Sequence, residues 1–215
     1  MNILAIETSC DETAIAVLSV SDGNDPTFRL RANVVHSQIA IHAPYGGVFP
    51  ALAKREHSKN LIPVLLRALK NAGMFKIAPQ GRTLGTKKGP TFSAILEREP
   101  KLLEQFLKEI PKIKKPKVDA IAVTHGPGLE PALWVGINFA KALSLVWGVP
   151  IIPVNHMEGH IFSAFIPKGA AISKSKFLIS KQIPNSKSQT REITFPAMAL
   201  LVSGGHTELI LIKKW

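Results

Sequence analysis

Cysteine is nearly absent from this 215-residue chain: Cys10 stands alone. No intramolecular disulfide can form, which fits a reducing compartment. Long apolar runs are missing too. No segment reaches the roughly 20 apolar residues that a membrane-spanning helix needs. The apolar N-terminal run is interrupted by Glu7, Asp11 and Glu12, against a secretory leader. A soluble, cytoplasmic protein with no membrane role is expected. With 46% hydrophobic residues the chain can still bury a sizeable core.

Acidic residues are the other scarcity, 15 against 27 Lys and Arg, for a net charge of +12. The excess is local. Residues 76–117 carry eleven basic and four acidic side chains, and residues 168–191 carry six basic and none acidic. The remainder holds ten basic and eleven acidic residues, so the framework is close to neutral. Both segments read as polar, lysine-rich insertions, the first with an amphipathic helix over Ala94–Ile110. Two readings are open: solvated loops, or a footprint for a polyanion such as RNA, which clustered Lys and Arg bind by releasing counterions.

Pattern places strands at Asn2–Glu7, Ala14–Val20, Ala32–His36, Val118–Thr124, Val149–Val154, Ala197–Val202 and Glu208–Ile212. Helices are expected over Ala51–Ala72, stopped by Gly73, from Pro131 to about Val146, and from Met157 to Phe165. The first two strands flank Thr8-Ser9-Cys10-Asp11-Glu12-Thr13, dense in hydroxyls and carboxylates. Such a turn can face a metal-bound phosphate or be merely well hydrogen-bonded. His125-Gly126-Pro127-Gly128 joins a strand to a helix and serves either anion binding or close packing. Ser203-Gly204-Gly205 repeats the small-residue turn between strands, with bare amides for a phosphate or positive φ for a hairpin.

The densest chemistry lies in His156-Met157-Glu158-Gly159-His160. Two imidazoles four residues apart share one face of a helix, within reach of one transition metal. Two partly buried structural histidines would show the same spacing. The zinc-protease pattern puts its glutamate directly after the first histidine; here Glu158 comes two residues on, so that reading does not fit.

Taken in order, IETSCDETAIAV at 6–17, HAPYGGVFPALAKREH at 42–57, GPGLEPALWVG at 126–136, NHMEGH at 155–160 and LLVSGGHTEL at 200–209 resemble the tRNA N6-adenosine threonylcarbamoyltransferases, formerly called O-sialoglycoprotein endopeptidases. The resemblance implies an α/β, actin-like ATPase fold of sugar-kinase type, built on RNase H-like sheets. Residues 1–196 would form the first subdomain with its insertions at 76–117 and 168–191, and 197–215 the first strands of the second.

The function implied is transfer of the threonylcarbamoyl group from threonylcarbamoyl-AMP to the N6 amine of the adenosine 3′ of the tRNA anticodon. His156 and His160 would hold one iron(II) or zinc ion, and Leu201, Val202, Ser203, Gly204 and Gly205 would contact the substrate. Asp11 and Glu12 are candidates for orienting the attacking amine or accepting its proton. Implied partners are tRNA and the accessory proteins of the pathway, an actin-like paralogue and an ATPase subunit. The family's third metal ligand, a late aspartate, has no counterpart here, and nothing assigns His206 to its place. A truncated or split form is therefore expected, with a separate chain carrying the C-terminal half as a further partner. Competing classes are a non-catalytic actin-like scaffold, which would not need the histidine pair, and a small-molecule kinase of the same fold, whose aspartate base is not identifiable.

Overall fold

The computed structural model describes residues 1–23, 27–78, 91–163, 171–173, 195–202 and 207–214. In chain order its elements are β1 (Asn2–Glu7), β2 (Glu12–Val20), β3 (Thr27–Ser37), α1 (Ile39–His42), α2 (Pro50–Asn71), α3 (Phe92–Ile95), α4 (Pro100–Glu109), β4 (Ala120–Gly126), α5 (Glu130–Trp147), β5 (Ile151–Asn155), α6 (His156–Ser163), β6 (Ala171–Ser173), β7 (Ala197–Val202) and β8 (Thr207–Ile212). They divide into two compact units, Met1–Ser19 with Leu30–His156, and Val20–Arg29 with Met157–Trp215.

The first unit is a mixed sheet in the order β5-β4-β1-β2-β3. β1 pairs antiparallel with β2 and parallel with β4, and β4 pairs parallel with β5. Alternation explains the hairpin. Leu4 and Ile6 on β1 stand opposite Val17 and Ile15 on β2, and all four are buried. Cross-strand apolar pairs of this kind fix the register, because a one-residue slip would turn all four toward the other face.

Helix α2 buries Ala53, His57, Leu61, Leu65 and Ala68, one stripe at helical spacing. It runs through Pro63, which has no N–H for the carbonyl of Lys59. That carbonyl is supplied from outside: Gln105 Nε2 on α4 donates to Lys59 O at 3.2 Å. Helix α5 ends at Gly148, whose φ of 62° is the left-handed cap that glycine adopts without strain.

The first basic insertion is only partly a solvated loop. Residues 79–90 lie outside the described residues, but Phe92, Leu96, Leu102, Phe106, Ile110 and Ile113 are all buried in the core. Phe106 stacks on Phe92 at 5.7 Å and meets Phe139 of α5 edge-on at 6.2 Å. The single helix expected over Ala94–Ile110 is broken between Ile95 and Pro100. Proline cannot supply an interior helical N–H, and the residue before it is pushed out of the helical region; Glu99 sits at ψ 66°.

The second unit contains the first residues of β3, paired antiparallel with β6, and the β7–β8 hairpin. β6 falls inside the second basic insertion, where no strand was expected. On the hairpin, Met198 opposes Leu211 and Leu200 opposes Leu209, and all four are exposed.

If α4 is an integral part of the core, Phe106→Ala should destabilise the protein by about 3–5 kcal/mol. Urea unfolding measures this, and a loss below about 1 kcal/mol would contradict the packing described.

Candidate functional site

Strands β1, β4 and β5 run parallel, so their carboxyl ends lie along one edge of the sheet. In open α/β sheets this is the edge where ligands bind. Glu7 ends β1, Thr124 lies near the end of β4, and His156 follows directly on β5.

These groups converge. His156 Nδ1 lies 3.3 Å from Glu7 Oε2 and 3.1 Å from Ser9 Oγ. A carboxylate only accepts, so the proton is assigned to Nδ1 of the ring. Thr124 Oγ1 donates a short hydrogen bond to Glu7 Oε2, and the Ser9 amide donates to Glu7 Oε1 at 2.5 Å. Burial would raise the Glu7 carboxyl, but hydrogen bonds from His156, Ser9 and Thr124 outweigh it and hold the group at about 2 against an ordinary 4.5. Glu7 is thus an ionised anchor at neutral pH.

The Thr8–Ser9 turn is itself locked against the start of α5. Thr8 Oγ1 donates to Ala132 O at 3.0 Å, and Leu129 N donates to Ser9 O at 2.7 Å. The contact needs glycine. A Cβ on Gly136 would lie 2.3 Å from Thr8 Oγ1, and one on Gly128 would lie 2.7 Å from Ser9 O. At Gly128 the turn after β4 therefore serves close packing, and the amide of Leu129 is taken by a carbonyl.

The far side of the turn is fastened to α2. Thr13 Oγ1 lies 2.7 Å from His57 Nδ1, and His57 Nε2 donates to Cys10 O at 3.0 Å. His57 is fully buried, and burial pushes its pKa down, so the ring is neutral at pH 7. The Cys10 thiol is pushed up to about 11 by burial and by Asp11 beside it, so it is not a ready thiolate nucleophile.

Of the residues expected at the site, His156 lies in this cluster, and His160 is exposed four residues along α6. Asp11 is half-buried in the same turn as Ser9, and Glu12 is exposed at the start of β2. The carboxylate that reaches His156 is Glu7's. Sequence reading missed Glu7 and Thr124; the available signal was an acid ending an otherwise apolar buried strand. Leu201 is half-buried and Val202 exposed at the end of β7. Ser203, Gly204, Gly205 and His206 lie outside the described residues.

A carboxylate on Nδ1 is the usual arrangement behind a metal-ligating histidine, where coordination falls to Nε2. The His156 environment fits that role. Among the described residues, no three His, Cys, Asp or Glu side chains gather closely enough to complete a metal site. Nor is any described helix long and apolar enough to cross a membrane.

The family model described as tRNA N6-adenosine threonylcarbamoyltransferase matches residues 29–78 and 93–175. Curated proteins of that name from Thermomicrobium roseum and Persephonella marina are each 40% identical over 213 residues, 99% of this chain. The chain spans 42% of the length of each. Among solved structures, YeaZ from Pseudomonas aeruginosa is similar with a TM-score of 0.38 at 17% identity, covering 72% of this chain and 45% of that one.

The Glu7 carboxyl titrates near 2 when folded and near 4.5 in its ordinary state, so between those values the unfolded state binds more protons. Its stabilisation is complete above about pH 4.5 and is lost as pH falls through about 2. Glu7→Gln should lower the urea midpoint at pH 7, with the difference from wild type shrinking toward pH 2. A difference independent of pH would contradict the anchor.

Proposed function

Because the chain belongs to the tRNA N6-adenosine threonylcarbamoyltransferase family and carries its actin-like, RNase H-like fold, we propose that it forms the N-terminal part of an enzyme moving a threonylcarbamoyl group from threonylcarbamoyl-AMP to a tRNA adenosine. Residues 1–196 make the first subdomain and 197–215 open the second. The protein works in the cytoplasm beside the accessory proteins of that pathway. The observation that carries the reading is the Glu7–Ser9–Thr124–His156 cluster at the carboxyl edge of the sheet.

In this reading His156 and His160 are two ligands of one iron(II) ion, with zinc as the alternative. When bound, the ion supplies Lewis-acid polarisation of the donor's carbamoyl or phosphate oxygens. Glu7 holds the Nδ1 proton of His156, so that coordination would fall to Nε2. The N6 amine attacks the carbamoyl carbon, the bond from that carbon to the phosphate oxygen breaks, and AMP leaves with its electron pair. Asp11 or Glu12 takes the amine proton or orients the amine. Leu201 and Val202 bound the donor site, and the amides of Ser203, Gly204 and Gly205 stabilise charge developing on the adenylate.

The test uses protein reconstituted anaerobically with iron(II). His156→Ala should abolish metal retention and reduce threonylcarbamoyladenosine in digested tRNA at least tenfold, read by elemental analysis and mass spectrometry. Unchanged metal stoichiometry in the variant would overturn the assignment.

A further inference from the structure

At the end of β1 opposite Glu7 lies a cavity of about 410 Å³. The strand rises about 3.3 Å per residue, so Asn2 at its mouth stands about 17 Å from Glu7. Arg31, Lys76, Lys114, Lys115 and Lys117 line it, together with Asn2, and among the described residues its lining contains no carboxylate and no aromatic ring.

These cations are held together by backbone structure. Lys114 N donates to Lys76 O at 2.9 Å beside an antiparallel bridge between Ile77 and Ile113. Ala78 N donates to Lys112 O at 2.7 Å, and Asn2 Nδ2 donates to Lys117 O at 2.9 Å. Buried Ile113 and Val118 anchor the lysine-rich segment from beneath. The two ends of the first basic insertion are therefore joined, and their charges share one wall. Lys112 is satisfied by Glu109 at 3.1 Å, whereas among the described residues none of the five cavity cations forms an ion pair. Like charges gathered this way repel one another until an anion joins them.

We propose that this cavity docks the phosphate backbone of an RNA, and the inference rests on the reading above that the substrate is a tRNA. With no aromatic ring among its described lining residues to stack a base, the cavity offers its cations chiefly to phosphate. Engaging both this cavity and the His156 edge, about 17 Å apart along β1, requires an extended polyanion and not a single nucleotide. The basic insertion then extends the footprint of the substrate beyond the reacting edge.

The experiment compares binding of an unmodified tRNA transcript to the full chain by fluorescence anisotropy across a salt series. Replacing three cavity charges together, Lys114→Gln, Lys115→Gln and Lys117→Gln, should reduce the slope of log K against log salt by about 2–3, near 0.7–0.9 per lost phosphate contact. A control removing three exposed charges elsewhere on the insertion, Arg98→Gln, Lys101→Gln and Lys108→Gln, should keep the wild-type slope. Equal slopes for the cavity variant and wild type, or equal losses in the cavity variant and the control, would overturn the proposal. So would ATP or inorganic phosphate binding the wild type but not the cavity variant at constant ionic strength, with tRNA binding unchanged. Threonylcarbamoyladenosine formation is measured alongside in the wild type and the cavity variant. Failure of the transfer chemistry is thereby read separately from failure of docking.

Discussion

The site depends on two places where a side chain would not fit. Gly136 and Gly128 let helix α5 and its leading turn lie against Thr8 and Ser9 at distances where an added Cβ would fall 2.3 Å and 2.7 Å from the nearest atom. Backbone and short hydroxyls cannot yield as a flexible side chain does, so even alanine forces the elements apart. This closeness lets Thr8 Oγ1 reach Ala132 O and Leu129 N reach Ser9 O. With the turn held from α5 on one side and by His57 of α2 on the other, Ser9 has one position. Glu7, one residue before the turn, is thereby aimed along the sheet edge at His156.

From that constraint the electrostatics follow. An ionised carboxylate at a partly buried strand end persists only when hydrogen-bond donors surround it, and His156, Ser9 and Thr124 supply them. Three parallel strands each deliver one part of the cluster. The orientation of His156 is thus a property of the sheet, and the chemistry proposed for the family has a rigid point of attachment. The basic cavity at the other end of β1 shares the same scaffold, so one strand spans the proposed chemistry and the proposed docking of the substrate.

Much of this was legible where an apolar run is bounded by turn-forming residues. β1 runs over Asn2–Glu7 as read, because an apolar stretch is bounded by a hydroxyl-rich turn, and β7 over Ala197–Val202 for a similar reason. β3 is longer than read, Thr27–Ser37 and not Ala32–His36: Phe28 and Leu30 continue the period-two alternation of Ala32 and Val34 toward the start of the strand, a signal the shorter reading passed over. The apolar spacing read as an amphipathic helix over Ala94–Ile110 packs into the core, with buried residues from Phe92 to Ile113. Pro100 announced the break between α3 and α4. Glu7 escaped notice since its role depends on Thr124 and His156, which are more than a hundred residues away in sequence and adjacent only once the parallel strands form.

The central claim is that Glu7 fixes His156 with its proton on Nδ1, ready to present Nε2 to a metal. Nitrogen-15 NMR of histidine-labelled protein at neutral pH measures this directly. The account predicts an Nδ1–H signature for His156 that is lost in Glu7→Gln. A His156 protonated on Nε2 in the wild type, or a signature indifferent to Glu7, would contradict it.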